Sequence, residues 1–239
     1  MASPGSPVRA PDHIKSLLSR LHEESEKQEA SITPDQYAPV INLYKQDPVA
    51  GSKALDELMR DKFIALEKDK ADFVYQMIVS SGAKYVVEAG TSFGVSTIYL
   101  ALGVAEVEKM TGGMGKVIGT EKERTKAEKA RGYWRECGEE VESRIELREG
   151  DLVSTLASNL ETVDLLLLDI WPPVALPALK AVLPKLRPGA LVLTDNTIQA
   201  EHRYQELLSV LRDPKGDFRS STLPFKGGFE VSVYVPRSR

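Results

Sequence analysis

The sequence predicts an α/β fold, a doubly wound and mostly parallel sheet preceded by helices and closed by an antiparallel hairpin at its C-terminal edge. Three observations carry this. Tyr85 to Tyr99 reads YVVEAGTSFGVSTIY, a short apolar strand that stops at a glycine turn and opens a helix. Leu165 to Leu168, within VDLLLLD, is apolar without alternation, as a central parallel strand covered on both faces must be. From Tyr85 to Asn196 strands and helices alternate, which demands right-handed crossovers, whereas after Asp217 two strand-like runs are separated only by a turn.

In chain order, residues 1–11 are rich in Pro, Ser and Gly and are expected to form a disordered tail. Residues 12–239 are expected to be one domain, of which 12–81 is a helical cap over a site or an oligomer contact. From Asp12, a candidate N-cap, Ile14, Leu17, Leu18 and Leu21 share one face of an amphipathic helix. His13 and His22, on the same segment, read as solvated surface residues. A proline-initiated segment starts at Thr33, a helix runs from about Lys53 to Phe63, and another from Asp69 to Ser81 places Phe73, Val74, Met77 and Ile78 at helical spacing before Gly82.

Beyond the glycine turn a helix runs to about Lys109, then a strand from Lys116 to Glu121 and a helix from Arg124 to Glu136. Strands follow at Arg144 to Arg148 and Val163 to Asp169. A helix then extends to Leu186, Arg187-Pro188-Gly189 reads as a loop, and the next strand spans Ala190 to Thr194. Asp217 to Leu223 and Gly228 to Val235 form the edge pair around the Pro224 to Gly227 turn.

The composition excludes several classes. With 239 residues, a formal net charge of −4 and a pI near 5.6, the chain has no general attraction for phosphate backbones, so nucleic acid is not expected as a partner. Cys137 is the only cysteine, which rules out an intrachain disulfide and reads as a packing residue in a reducing compartment. No apolar run approaches a membrane span, and MASPGSPVRAPD lacks the apolar core of a signal peptide, so a cytoplasmic protein is expected.

In an open parallel sheet, ligands collect beyond the carboxyl ends of the strands. Those ends read Glu88-Ala89-Gly90, Glu121, Glu149-Gly150-Asp151, Asp169 and Asp195-Asn196. The glycine turn is expected to point free backbone N–H groups at a ligand. Glu121 suits a ribose diol, the alternative being a carboxylate that balances the dipole of the following helix. Asp151 either accepts from an adenine amino group or caps the next helix. Asp169, Asp195 and Asn196 offer hard oxygen ligands for Mg²⁺ or Ca²⁺, unless the last two merely cap.

EAGTSFGVST, Glu121, the EGD turn, LLLLDIW and LTDN, in that order, resemble the cation-dependent O-methyltransferases of the catechol and caffeoyl-CoA type over about Lys53 to Val235. The resemblance implies a Rossmann-like class I methyltransferase with a seven-stranded sheet, working as a homodimer. By it, Glu88, Gly90, Thr91, Ser92 and Ser96 surround the methionine part of S-adenosylmethionine, Glu121 and Lys122 lie at its ribose, and Gly150, Asp151 and Leu152 lie beside its adenine. Asp169, Asp195 and Asn196 become the ligands of a divalent cation, Mg²⁺ or else Ca²⁺ or Mn²⁺. Asp169 and Trp171 also lie beside the cofactor, Trp171 as an aromatic wall at the substrate, and Glu230 bonds the second hydroxyl of an aromatic diol.

The implied reaction moves a methyl group to one hydroxyl of a catechol, flavonoid or caffeoyl-type acceptor chelated to the metal. One departure is plain: Pro172 stands where the catechol branch has its lysine base. The cation alone, Lys226 or His202 then has to serve. Two other readings remain open. One is an NAD(P)-dependent oxidoreductase, against which stands the missing G-x-G-x-x-G; the other is a non-catalytic adenosylmethionine-binding protein.

Overall fold

The structure is a computed structural model that describes residues 5–237. Its strands are β1 (Tyr85–Ala89), β2 (Lys116–Glu121), β3 (Ile145–Glu149), β4 (Val163–Leu168), β5 (Leu186–Asp195), β6 (Phe218–Leu223) and β7 (Phe229–Tyr234). They form a seven-stranded sheet in the order β3-β2-β1-β4-β5-β7-β6. The first five are parallel, and β7 runs antiparallel to both β5 and β6, as the missing crossover after Asp217 requires. β1 and β4 sit at the centre and are buried along almost their whole length, which is why neither alternates.

The helices are α1 (Asp12–Ser31), α2 (Pro34–Gln46), α3 (Pro48–Met59), α4 (Lys68–Ser81), α5 (Val95–Thr111), α6 (Arg124–Cys137), α7 (Glu139–Glu142), α8 (Leu152–Leu156), α9 (Pro172–Val182) and α10 (Gln205–Leu211). One face of the sheet is covered by α1, α4, α5 and α6, and the other by α8, α9 and α10. α5 is buried nearly all round because it lies between the sheet and α4, so its sequence is apolar on every side. α1 closes that layer with Ile14, Leu17, Leu18 and Leu21, the predicted stripe. Among the described residues no helix is long and apolar enough to cross a membrane.

Several expectations change. Residues 5–11 are not loose: Val8 is buried, Ser6 donates to Asp72 at 2.7 Å and Arg9 pairs with Glu106 at 2.8 Å, so the segment lies across α4 and α5. Residues 1–4 of that predicted tail lie outside the described residues. α3 starts at Pro48 rather than Lys53, because the Asp47 carboxylate accepts the N–H groups of Val49 and Ala50, both at 3.0 Å, and proline suits the first helical position. β5 starts at Leu186, with Arg187-Pro188-Gly189 absorbed by a register shift against β4 instead of forming a loop. Cys137 is buried at the end of α6, and burial pushes its thiol up to about 12, which keeps it inert.

His22 is the clearest reversal. It is 6% exposed, and its Nε2 lies 2.9 Å from the hydroxyl of Tyr99 on α5. Burial, helped by Lys68, lowers its pKa to about 4 from an ordinary 6.5. Between those two values the unfolded chain binds a proton that the folded chain does not, so stability falls as the pH drops through that window. His22→Gln is therefore expected to spare the protein about 2.5 kcal/mol of the loss between pH 7 and pH 4.5, read from urea unfolding of both proteins at each pH. Equal losses in the two proteins would show that His22 plays no part in acid sensitivity.

Candidate active site at the carboxyl ends of the strands

The glycine turn is built by close packing. Gly90 has φ +98°, and a Cβ there would lie 2.2 Å from the backbone oxygen of Asp169, so only glycine lets the ends of β1 and β4 approach. Gly94 has φ +75°, and a Cβ there would stand 2.6 Å from Nε1 of Trp134, which donates to the Gly94 carbonyl at 3.0 Å. Between them Ser92 holds φ +48°, a conformation costly for a non-glycine residue and kept by its surroundings. Its N–H donates to Glu121 Oε2 at 2.8 Å, while the Glu123 N–H donates to Oε1, also at 2.8 Å. Glu121 thus clamps the turn and, with a lone pair left on each oxygen, can still accept from a ligand.

One expectation about this turn is narrowed and one corrected. Four of its N–H groups are bonded within the protein, Gly90 and Thr91 donating to Thr120, Ser92 to Glu121 and Gly94 to Thr91. Glu88 does not face a ligand. It is fully buried and accepts from Thr91 at 2.9 Å, Ser96 at 2.5 Å and Thr97 at 2.6 Å, so it and the Ser96 hydroxyl pin the start of α5. Burial raises the Glu88 pKa against those three hydroxyls.

The remaining cofactor-side residues divide. Asp151 realises the capping alternative, accepting from Ser154 N at 2.9 Å and Ser154 Oγ at 2.8 Å, bonds that hold its carboxyl below the usual range. Gly150, at φ +128°, ties β3 to β2 by donating to the Glu121 carbonyl at 3.0 Å. Leu152 packs into the layer of α8 to α10, and Lys122 is exposed past the end of β2. Ile64, Ala65 and Leu66 complete a pocket with residues 90–96 and Asp169.

The pairing of β4 with β5 brings Asp169 and Asp195 together, since Leu168 and Thr194 are partners. A lysine that the sequence did not single out lies between helix and sheet here. Lys70 of α4 is 0% exposed, with Nζ 2.5 Å from Asp195 Oδ1 and 2.8 Å from Glu67 Oε2. Asn196, at φ +58°, donates Nδ2 to Asp195 Oδ2 at 2.7 Å. Both oxygens of Asp195 are therefore engaged by protein cations or donors.

Electrostatics follow from burial. Burial pushes Asp195 up to about 6 against the pull of Lys70. Asp169 is held well above the usual carboxylate range by burial and by Asp195, Glu88 and Glu67, with Lys70 opposing. Burial alone would lower Lys70, but Asp195 and Glu67 outweigh it and keep the ammonium charged. The expected donor set does not fit a divalent cation. The Lys70 ammonium takes one oxygen of Asp195, and the Asn196 carboxamide turns an N–H to the other.

The other expected residues lie elsewhere. Glu230 is 1% exposed and carries a two-pronged ion pair with Arg212, both bonds 2.9 Å, plus the Thr222 hydroxyl at 2.6 Å. On β7 it alternates with Phe229, which packs on the α4 side with Phe73, so it faces α10 and is a structural partner rather than a substrate ligand. Lys226 lies 3.6 Å from Glu29, and His202 is exposed on the turn before α10. Trp171 does sit at the end of β4, and the Arg203 guanidinium lies 3.9 Å from its ring centroid and 5.3 Å from that of Tyr44. Nε and Nη2 of Arg203 are buried without a hydrogen-bond partner among the described residues.

A sheet in this order, with a glycine turn after β1, a carboxylate clamp at the end of β2 and acids closing β4 and β5, defines a Rossmann-like methyltransferase fold. Residues 87–197 match the family model described as a methyltransferase domain. Among solved structures, cofactor-bound Rv0187 from MTB is 23% identical with TM-score 0.65, over 80% of this chain and 91% of that one. TomG from Streptomyces achromogenes, an O-methyltransferase involved in tomaymycin synthesis solved with SAM, is 19% identical with TM-score 0.64 over 96% and 92%. The O-methyltransferase from Bacillus cereus, solved with SAH, is 19% identical with TM-score 0.60 over 92% and 99%. No curated protein matches the chain by sequence.

Proposed function

We propose that the protein methylates a hydroxyl oxygen of a small aromatic acceptor, using S-adenosylmethionine held between the glycine turn and Glu121, with Asp169 as the base. The observation that carries this reading is the turn itself. Carboxylates surround it, and the N–H groups of Gly90, Thr91, Ser92 and Gly94 are bonded within the protein, which suits a cationic sulfonium better than the pyrophosphate of a dinucleotide. That speaks against the oxidoreductase reading.

When bound, the cofactor supplies an electrophilic methyl group and a thioether leaving group. The chain's own residues do the rest. Gly90 keeps the turn close to Asp169, Glu121 fixes the turn and accepts from a ribose, and the strap of Ile64 to Leu66 excludes water. Asp169 takes the proton of the acceptor hydroxyl as its oxygen attacks, a role that burial favours by raising its proton affinity. Trp171 offers a flat wall for the acceptor ring. Vicinal diols are the acceptor class the resemblance suggests, although the expected ligand for the second hydroxyl, Glu230, is otherwise engaged.

A second copy of the chain belongs to the same reading: α2 buries no residue, and Ile41 and Leu43 on it, with Val49 on α3, expose apolar surface that suits a dimer contact. The lone buried Cys137 supports a reducing, cytoplasmic location. Calorimetric titration is expected to show adenosylmethionine binding in the micromolar range and no heat with NADH. Transfer of labelled methyl from adenosylmethionine to a panel of catechols, phenols and caffeoyl esters then tests the reaction. Binding of NADH alone would overturn the proposal.

A further inference from the structure

We infer that Lys70 is the resident cation of this site, standing where a divalent ion would otherwise sit, so that the protein neither binds nor needs a metal. This rests on the methyltransferase reading for its catalytic meaning but not for its geometry. The ammonium is 2.5 Å from Asp195 Oδ1 and 2.8 Å from Glu67 Oε2 and is wholly shielded from solvent. A dication sharing Asp195 would stand within a few ångströms of Nζ, which is shut off from bulk solvent, and one of the two cations has to go. Lys70 is tethered to a helix whose next turns, Val74 and Ile78, are locked in the core, so it is the one that stays.

The consequences differ from those of a metal. A single positive charge fixes Asp195 and spreads a favourable potential over the acceptor oxygen. It cannot grip two hydroxyls at once as an open metal site does. The acceptor range thereby widens to aromatic rings with one hydroxyl. Lys70 acts through Asp195, and it is a positioning residue.

The test is a Mn²⁺ titration followed by electron paramagnetic resonance, on wild type and on Lys70→Ala, each saturated with adenosylmethionine. Wild type is expected to leave Mn²⁺ free at millimolar concentration. Lys70→Ala, with Asp195 Oδ1 freed and the neighbouring positive charge gone, is expected to bind about one ion at least tenfold more tightly. Stoichiometric binding by wild type, or no gain in the variant, overturns the inference. Lys70→Gln, which removes the charge and keeps most of the bulk, serves as a second variant should the alanine protein misfold, and the same gain is required of it. Turnover of wild type is expected to be unchanged in EDTA; its loss, restored by Mg²⁺, also overturns the inference. Adenosylmethionine affinity, measured on the same samples, reports separately on whether the methyltransferase reading holds.

Discussion

Asp169→Asn is expected to lower turnover by about 10²- to 10⁴-fold while adenosylmethionine affinity stays within about threefold. The substitution is nearly isosteric, and it keeps the backbone oxygen against which Gly90 packs, so the turn is preserved. What it removes is the proposed proton acceptor. Asp169 is the right group for that task because Asp195 already has its two oxygens occupied by Lys70 and Asn196, whereas Asp169 keeps a raised proton affinity in a buried setting beside the pocket. Single-turnover rates with bound cofactor separate this from a defect in binding. A variant with wild-type turnover would assign the proton to another group or to water.

Gly90→Ala is expected to destabilise the fold by about 3 kcal/mol or more, lowering the melting temperature by roughly 6–12 °C, and to abolish cofactor binding. Two costs combine. An L-residue at φ +98° is strained wherever it stands, and the added methyl group would lie 2.2 Å from a backbone oxygen that belongs to β4 and has no rotamer to change. Relief requires β1 and β4 to part at the very end where the ligands gather. Thermal unfolding and adenosylmethionine calorimetry check the two halves of this expectation, and a variant that binds normally would show that the close approach is dispensable.

Much of the fold was legible because it is encoded by neighbours in the chain. The alternation of strand and helix, the unbroken Leu165 to Leu168 run and the helix-free interval before Gly228 each dictate a local element, and the parallel sheet follows from how such elements must connect. Strand starts were less legible: Pro188 reads as a loop residue, yet it is carried within β5 by a register shift that only the partner strand reveals. The site was half readable. Strand ends announce acids and glycines, and the order of motifs supplied the rest.

What stayed hidden were partnerships across long separations. Lys70 sits 125 residues from Asp195 and reads as part of a charged Lys-Asp-Lys surface run. Its only clue was position, in line with Val74 and Ile78 on the buried stripe of α4. His22 lies 77 residues from Tyr99, and Glu230 is neutralised by Arg212 across a turn of the chain that no spacing rule connects. Composition gives the charges; only the fold says which cancel.

The strap over the pocket is fastened to the first helix of the chain. Ala65 N–H donates to Ser25 Oγ at 2.8 Å, and Phe63 N–H donates to the side-chain oxygen of Gln28. On the proposed reading, a spent cofactor under Ile64 to Leu66 is expected to leave only when that latch on α1 is undone. Residence time, and with it the ceiling on cycles per second, is then expected to depend on two polar side chains some forty residues upstream of the segment they hold.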